Sequence, residues 1–124
     1  MATKPVIGVL LGDAAGVGPE LVAKCAAAGF YDEYCRPVVI GDLRVLERAL
    51  DVIGAKDKVA LQVISDVDEA DWSKGLPVLD QKNLDPAQVP FGTKTVESGK
   101  ACLDMLKLGV ELWQARLAAM SLVR

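Results

Sequence analysis

Short apolar runs alternate with amphipathic stretches over the first two thirds of the chain. The runs at residues 5–11, 38–40, 58–64 and 76–80 are short and continuous, as is typical of strands buried on both faces of a sheet. Between them, residues 19–29 and 42–54 carry apolar side chains at helical spacing, and each stretch ends at a glycine. This alternation predicts βαβ units and a mainly parallel sheet.

Helical spacing also predicts which side chain faces inward. In the first helix the predicted inward residues are Leu21, Val22, Cys25 and Ala26. In the second helix, for which Asp42 is the predicted N-cap, they are Leu43, Leu46, Ala49, Leu50 and Ile53. A last helix begins near residue 95, and the apolar stripe expected to face the core is Leu103, Leu106, Val110, Trp113 and Leu117.

The remaining segments have the composition of loops. Residues 65–75 hold four acidic side chains without the spacing or glycine of an EF-hand, so a solvated loop is favoured over a cation site. Residues 81–92, with Pro86 and Pro90, are a turn-rich connection. There is no internal repeat and no long linker, and residues 1–124 are therefore predicted to form a single α/β unit.

Composition and charge exclude several classes of protein. Hydrophobic residues make up 52% and charged residues 25% of the chain, as in ordinary globular domains. The net charge of −3, with no basic cluster, argues against binding to nucleic acid or an anionic membrane. No apolar stretch reaches the roughly 18 residues of a membrane span. The first residues enter a strand at once and do not resemble a signal peptide, so we expect a cytoplasmic location.

The cysteine and histidine counts limit the possible chemistry. Cys25, Cys35 and Cys102 are unevenly spaced, which indicates free, partly buried thiols rather than a disulfide framework. The chain contains no histidine. A mixed Cys/His zinc site is thereby excluded, and the commonest general acid/base and metal ligand is missing.

The stretch "GDAAGVGPE" after the first strand is the strongest candidate site. Gly16 and Gly18 permit a tight turn, Pro19 suits the first helical position, and Glu20 complements the helix dipole. Such a loop presents free amides and a helix N-terminus where open α/β sheets bind anions and cofactors. However, Leu21 occupies the third position of G-x-G-x-x-G, and no P-loop follows. A turn that needs glycine only for its shape is the alternative.

Taken together, four segments resemble the start of the 4-hydroxythreonine-4-phosphate dehydrogenase family. They are "PVIGVLLGDAAGVGPELVAK", "CRPVVIGDLRVLERA", "LPVLDQKNLDPAQVPFG" and "TVESGKACLDML", in family order and covering nearly the whole chain. The family usually has Gly-Asp-Pro-Ala-Gly-(Ile/Val)-Gly-Pro-Glu in the loop. Here Ala14 replaces the first proline, which leaves the loop less rigid.

The resemblance implies a three-layer α/β/α architecture, the N-terminal part of a two-domain dehydrogenase fold, in a homodimer. It also implies NAD and a divalent metal (Zn, Mg or Mn) as cofactors of the full-length enzyme. The reaction would be oxidative decarboxylation of a 4-phosphorylated four-carbon hydroxy acid, best known from pyridoxal phosphate biosynthesis. Close relatives act on erythronate or threonate phosphates.

The candidate cofactor-binding residues are Gly12, Asp13, Gly16 and Gly18. Asp13 either accepts a hydrogen bond from a ribose or substrate hydroxyl or caps the turn. No catalytic residue and no metal ligand is predicted, because the family's metal-binding histidines and substrate-binding residues lie beyond the matched region. We therefore expect this chain alone to bind no metal or cofactor and to be inactive.

The end of the chain and the missing residues leave other interpretations open. Residues 116–124, "RLAAMSLVR", depart from the family pattern and form an atypical tail. A non-catalytic remnant that pairs with a partner through a sheet edge and the last helix is one alternative function. An unrelated small anion-binding module is another.

Overall fold

A four-stranded sheet with helices on both faces forms the framework. The computed structural model describes residues 4–122, with side chains described for residues 4–116. The strands are β1 (Val6–Leu10), β2 (Arg36–Gly41), β3 (Leu61–Ile64) and β4 (Leu76–Asp80). The helices are α1 (Gly18–Ala27), α2 (Phe30–Tyr34), α3 (Leu43–Val52) and α4 (Val96–Leu122), with 3-10 turns at Val67–Glu69 and Pro86–Gln88.

All strand pairs are parallel, and the spatial order is β1-β2-β4-β3. Val39 at the centre of β2 is in register with Val9 of β1 and Val78 of β4. Val39 and Val78 are completely buried, which places the core around these two central strands. Because every strand runs the same way, the loops that follow the strands meet at one edge, the carboxyl edge.

The helices divide into two layers. The crossovers β1-α1-β2 and β2-α3-β3 move in the same direction across the sheet, so right-handed connections place α1 and α3 on the same face. Helix α4 packs on the opposite face, where Gly109 approaches Leu10 closely enough that an added Cβ would lie 3.4 Å from its side chain. The predicted three-layer α/β/α class with a parallel sheet is confirmed.

Several local predictions are confirmed and others are corrected. Asp42 caps α3 by accepting a hydrogen bond of 2.9 Å from the backbone N–H of Arg44. The prediction for α1 is wrong in part, since Leu21 is 56% exposed and the buried residues are Pro19, Val22 and Ala23. Helix α1 packs on α3 through a face that includes Ala23 and is rotated away from the predicted face. The short helix α2 was not predicted, and β3 is shorter than the apolar run that predicted it.

The prediction for α4 is wrong about which stripe faces the core. Of the predicted stripe, Leu103, Leu106, Val110 and Trp113 are exposed, and the side chain of Leu117 lies outside the described residues. The buried positions are Ser98, Ala101 and Met105, continued by the partly buried Leu108 and Leu112. Both stripes are apolar at helical spacing, but the sheet covers only one. The exposed set Leu103, Leu106, Val110 and Trp113 is called the apolar row below.

Among the helices in residues 4–122, none combines the length and the apolar character that a bilayer crossing requires.

Candidate functional site

The glycine loop (residues 12–18) lies at the carboxyl edge and closes on itself through Asp13. One carboxylate oxygen of Asp13 accepts a hydrogen bond of 2.9 Å from the N–H of Ala15, and its carbonyl accepts one of 3.0 Å from Gly16. Asp13 thus caps the turn, which is one of its two predicted roles. Its side chain is exposed, and the role as hydroxyl acceptor stays a prediction.

The three loop glycines serve different purposes. Gly12 has a φ of +78°, which disfavours any other residue. At Gly18 an added Cβ would lie 2.5 Å from the carbonyl oxygen of Leu11, so glycine allows α1 to pack against the end of β1. At Gly16 a Cβ would meet only ordinary contacts within its own turn, 3.5 Å or longer. The fold itself therefore does not require glycine at position 16.

The N-terminus of α1 differs from those of the other long helices. Its N-cap residue, Val17, makes no capping hydrogen bond with its side chain. In α3 the first N–H groups are taken by carboxylates, Asp80 accepting from Leu43 at 3.0 Å and Asp42 from Arg44. In α4 the hydroxyl of Thr95 accepts from the N–H of Ser98. The positive end of the α1 dipole therefore has no side-chain acceptor in the described part of the chain.

Arg48 of α3 joins the glycine loop to the 81–92 segment. Its guanidinium donates hydrogen bonds to the carbonyls of Ala14 (2.7 Å), Pro86 (2.8 Å) and Val89 (2.9 Å). It also stacks on the ring of Phe91, 4.1 Å from the centroid. Sequence analysis missed this residue. No pattern of side chains in the sequence indicates its role, because its hydrogen-bond partners are backbone carbonyls.

Asp42 makes a second connection at this edge, between β2 and the 81–92 segment. The side chain is buried and accepts hydrogen bonds from the N–H of Leu84 at 2.8 Å and from the guanidinium of Arg44 at 2.9 Å. Burial on its own raises the pKa of this carboxyl, but the hydrogen bonds from Arg44 and Leu84 outweigh it and hold the pKa below its ordinary value. Asp42 is therefore ionised and structural.

The carboxylates of the described residues do not cluster as metal ligands. Among the described residues, no group of three or more histidine, cysteine, aspartate or glutamate side chains lies close enough to hold an ion. Asp80 accepts from the N–H groups of Leu43 and Lys82, and Asp85 from that of Ala87. The residues of this chain thus do not fit the histidine-held metal that the resemblance implies.

Three further titratable groups, Cys35, Cys102 and Tyr31, have raised pKa values. The predicted free state of the three cysteines is confirmed. Burial raises the pKa of Cys35, and burial with the nearby charge of Asp13 raises that of Cys102. Burial, together with neighbouring Cys25, raises the pKa of Tyr31 to about 12. None of Cys35, Cys102 and Tyr31 is therefore activated as a nucleophile by a lowered pKa.

A groove of about 350 Å³ runs between the sheet and the second half of α4. Its walls include Leu10 and Ile40 from the strands and Leu106, Val110 and Trp113 from the apolar row. The lining is apolar apart from Arg116, and it lies on the face of the sheet that carries α4. It is thus separate from the glycine loop.

Comparisons with known proteins agree with the resemblance. No family model matches the sequence. The D-threonate 4-phosphate dehydrogenase of Cupriavidus necator is 37% identical over 108 residues, which are 87% of this chain and 32% of that protein. The crystal structure of a 4-hydroxythreonine-4-phosphate dehydrogenase from Burkholderia phymatum superposes with a TM-score of 0.84 at 37% identity, over 92% of this chain and 34% of that one. The chain is thus similar to members of this dehydrogenase family over about nine tenths of its own length.

A second structure in the family, the 4-hydroxythreonine-4-phosphate dehydrogenase of Klebsiella pneumoniae, gives a TM-score of 0.77 at 28% identity. The superposition covers 90% of this chain and 33% of that one. The chain thus spans about a third of the length of its relatives in the family. The cofactor roles of Gly12, Asp13, Gly16 and Gly18 remain predictions.

Proposed function

We propose that the chain supplies the first strand-loop-helix unit of an NAD-dependent dehydrogenase of 4-phosphorylated four-carbon hydroxy acids. The secondary alcohol of such a substrate is oxidised, and the β-keto acid that forms loses carbon dioxide. The names of the relatives support this proposal, since they specify D-threonate 4-phosphate and 4-hydroxythreonine-4-phosphate as substrates. The pathway implied by the resemblance is pyridoxal phosphate biosynthesis, and the proposed assembly is a homodimer.

The glycine loop is the part of the site that this chain contributes. The observation that supports it is the combination of a sterically free Gly16 with an N-terminus of α1 that has no side-chain cap. A phosphate group of NAD or of the substrate would lie against the backbone at Gly16 and the dipole of α1. The N–H groups of Val17 and Gly18 orient that phosphate, while the exposed Asp13 lies beside it. NAD, when bound, supplies the hydride acceptor.

No metal ligand is assigned to this chain. The divalent metal of the full-length family needs ligands that are absent here, since the chain has no histidine and its edge carboxylates bind backbone N–H groups. The step that stabilises the charge left by decarboxylation is therefore not assigned to any residue of this chain.

A non-catalytic interaction module is the second candidate function. The apolar row of α4 favours it, because Leu103 and Trp113 are 68% and 64% exposed. Exposed apolar surface of this kind commonly marks a contact with another surface.

The loop assignment is tested by following backbone amide NMR signals while NAD, AMP or inorganic pyrophosphate is added to the purified chain. Shifts concentrated in residues 12–20 are expected with each ligand. Gly16→Asp should abolish them, because its carboxylate would repel the phosphate.

Gly99→Asp is the matched control, since Gly99 also has open space around it but lies in α4. It should leave the shifts unchanged. Shifts outside the loop, or equal loss in both variants, would contradict the proposed site.

A further inference from the structure

Arg48 forms no ion pair with a carboxylate of the described residues. The ion pairs in the described part of the chain join Arg44 to Asp42 and Lys74 to Asp71, and neither includes Arg48. Its guanidinium is only partly exposed and donates to carbonyls alone. A planar guanidinium can serve several fixed acceptors at once, which a lysine ammonium cannot do with the same geometry.

The acceptors of Arg48 belong to two segments that are distant in sequence. Ala14 precedes Arg48 by 34 residues, while Pro86 and Val89 follow it by 38 and 41. A second bond joins the same two segments, because the N–H of Gly92 donates to the carbonyl of Ala15 at 2.8 Å. The carbonyls of two consecutive loop residues are thus fixed by the 81–92 segment and Arg48.

These carbonyl contacts determine where the loop amides point. A trans peptide is planar, and its N–H lies opposite its carbonyl. With the carbonyl of Ala14 bound to Arg48, the N–H of Ala15 faces Asp13 and donates to its carboxylate at 2.9 Å. With the carbonyl of Ala15 bound to Gly92, the N–H of Gly16 faces the carbonyl of Asp13 at 3.0 Å. In each of these two peptide units, both the carbonyl and the N–H are therefore hydrogen-bonded.

We propose that Arg48 is a positioning residue that pre-orders the glycine loop for a phosphate-bearing ligand. It acts through Ala14 and touches no ligand itself; this part rests on the proposed function of the loop. Without Arg48, the peptide unit between Ala14 and Ala15 loses its fixed orientation. Binding must then order the loop at the moment of association, which weakens affinity.

Arg48→Met tests the inference, with Arg36→Met as the matched control. Arg36 also donates to a backbone carbonyl, that of Lys4 at 2.9 Å, and stacks on an aromatic ring, Trp72 at 5.1 Å, but at the start of β2 rather than at the carboxyl edge. Both variants lose one cation–π contact, while Arg48→Met loses three carbonyl hydrogen bonds and Arg36→Met loses one. Three measurements separate their effects: unfolding in urea, hydrogen exchange at the amides of residues 15–18, and the Kd for pyrophosphate and NAD.

We expect Arg48→Met to speed exchange at Ala15 and Gly16 by about tenfold beyond its change in global stability. Its Kd should rise by roughly five- to tenfold. Arg36→Met should lower global stability without either loop effect. Arg48→Lys keeps the charge but only part of the hydrogen bonding, so it should give an intermediate exchange rate. If Arg48→Met does not fold, Arg48→Lys replaces it in all three measurements.

Equal loop exchange in the Arg48 and Arg36 variants, after correction for stability, would overturn the positioning role. If the unaltered chain binds neither pyrophosphate nor NAD, the proposed function fails. The exchange comparison still decides whether Arg48 orders the loop.

Discussion

The carboxylate of Asp42 and the backbone N–H of Leu84 form a hydrogen bond of 2.8 Å across 42 residues of sequence. The same carboxylate accepts from the N–H of Arg44 and thereby caps α3. One buried side chain therefore fixes the start of a helix and the path of the 81–92 segment, which in turn carries two of the three acceptors of Arg48.

We expect Asp42→Asn to lower the free energy of unfolding by about 1–3 kcal/mol at neutral pH, because the amide presents donors to groups that are themselves donors. The effect depends on pH. The folded pKa of Asp42 lies below its unfolded value, so its contribution is complete above the unfolded pKa and is lost as pH falls through the folded one. Urea unfolding at a series of pH values should show a constant difference above about pH 5 that shrinks below about pH 4.

The control for this experiment is Asp57→Asn, which alters an exposed carboxylate. It should change stability by less than about 0.5 kcal/mol. A difference between Asp42→Asn and the unaltered chain that stays flat down to pH 3 would refute the role given to the ionised carboxylate.

Substitution of two loop glycines should have opposite outcomes. Gly18→Ala places a Cβ 2.5 Å from the carbonyl oxygen of Leu11, and we expect a loss of about 1–3 kcal/mol in unfolding free energy. Gly16→Ala meets no such contact and should be neutral or stabilise by up to about 1 kcal/mol, because alanine restricts the unfolded chain. Chemical unfolding measures both. Equal losses would show that Gly16 is also required by the fold.

The apolar row should make the chain bind a hydrophobic dye and associate as its concentration rises. Trp113→Glu should reduce both dye fluorescence and light scattering, since Trp113 is 64% exposed and lines the groove. Gln114→Glu adds the same charge at the next, exposed position and should change neither. A clean monomer at high concentration that binds no dye would contradict the prediction.

The purified chain should not oxidise any phosphorylated hydroxy acid. Removing the hydroxyl proton and holding the enolate charge need an acid/base group and an electrostatic partner, each typically worth about a hundredfold or more in rate. Neither has been identified among the described residues. The assay follows NADH absorbance with 4-phosphooxythreonine, erythronate phosphate or threonate phosphate, with magnesium, manganese or zinc. Turnover that co-purifies with the chain, free of full-length enzyme, would disprove this.

The sequence predicts the sheet well because its signals are local. Short apolar runs locate the four strands, and glycines mark the ends of the helices between them. Asp42 is recognisable as an N-cap from its position before α3. The orientation of α4 cannot be predicted from local sequence, because the helix carries two apolar stripes and the sheet buries only one of them. Arg48 could not be found at all, because its three hydrogen bonds end on backbone carbonyls, which every residue has.

The position of β4 sets an order in which the sheet can form. Among the described strands, β3 pairs with β4 alone, and β4 lies between β2 and β3 although it follows both in sequence. During synthesis from the N-terminus, β1 and β2 can therefore pair as soon as α1 has crossed between them. The backbone N–H and carbonyl groups of Leu61–Ile64 have no strand partner until Leu76–Asp80 has left the ribosome. For that interval the nascent chain carries an apolar strand with unpaired edges, a segment open to pairing with other chains.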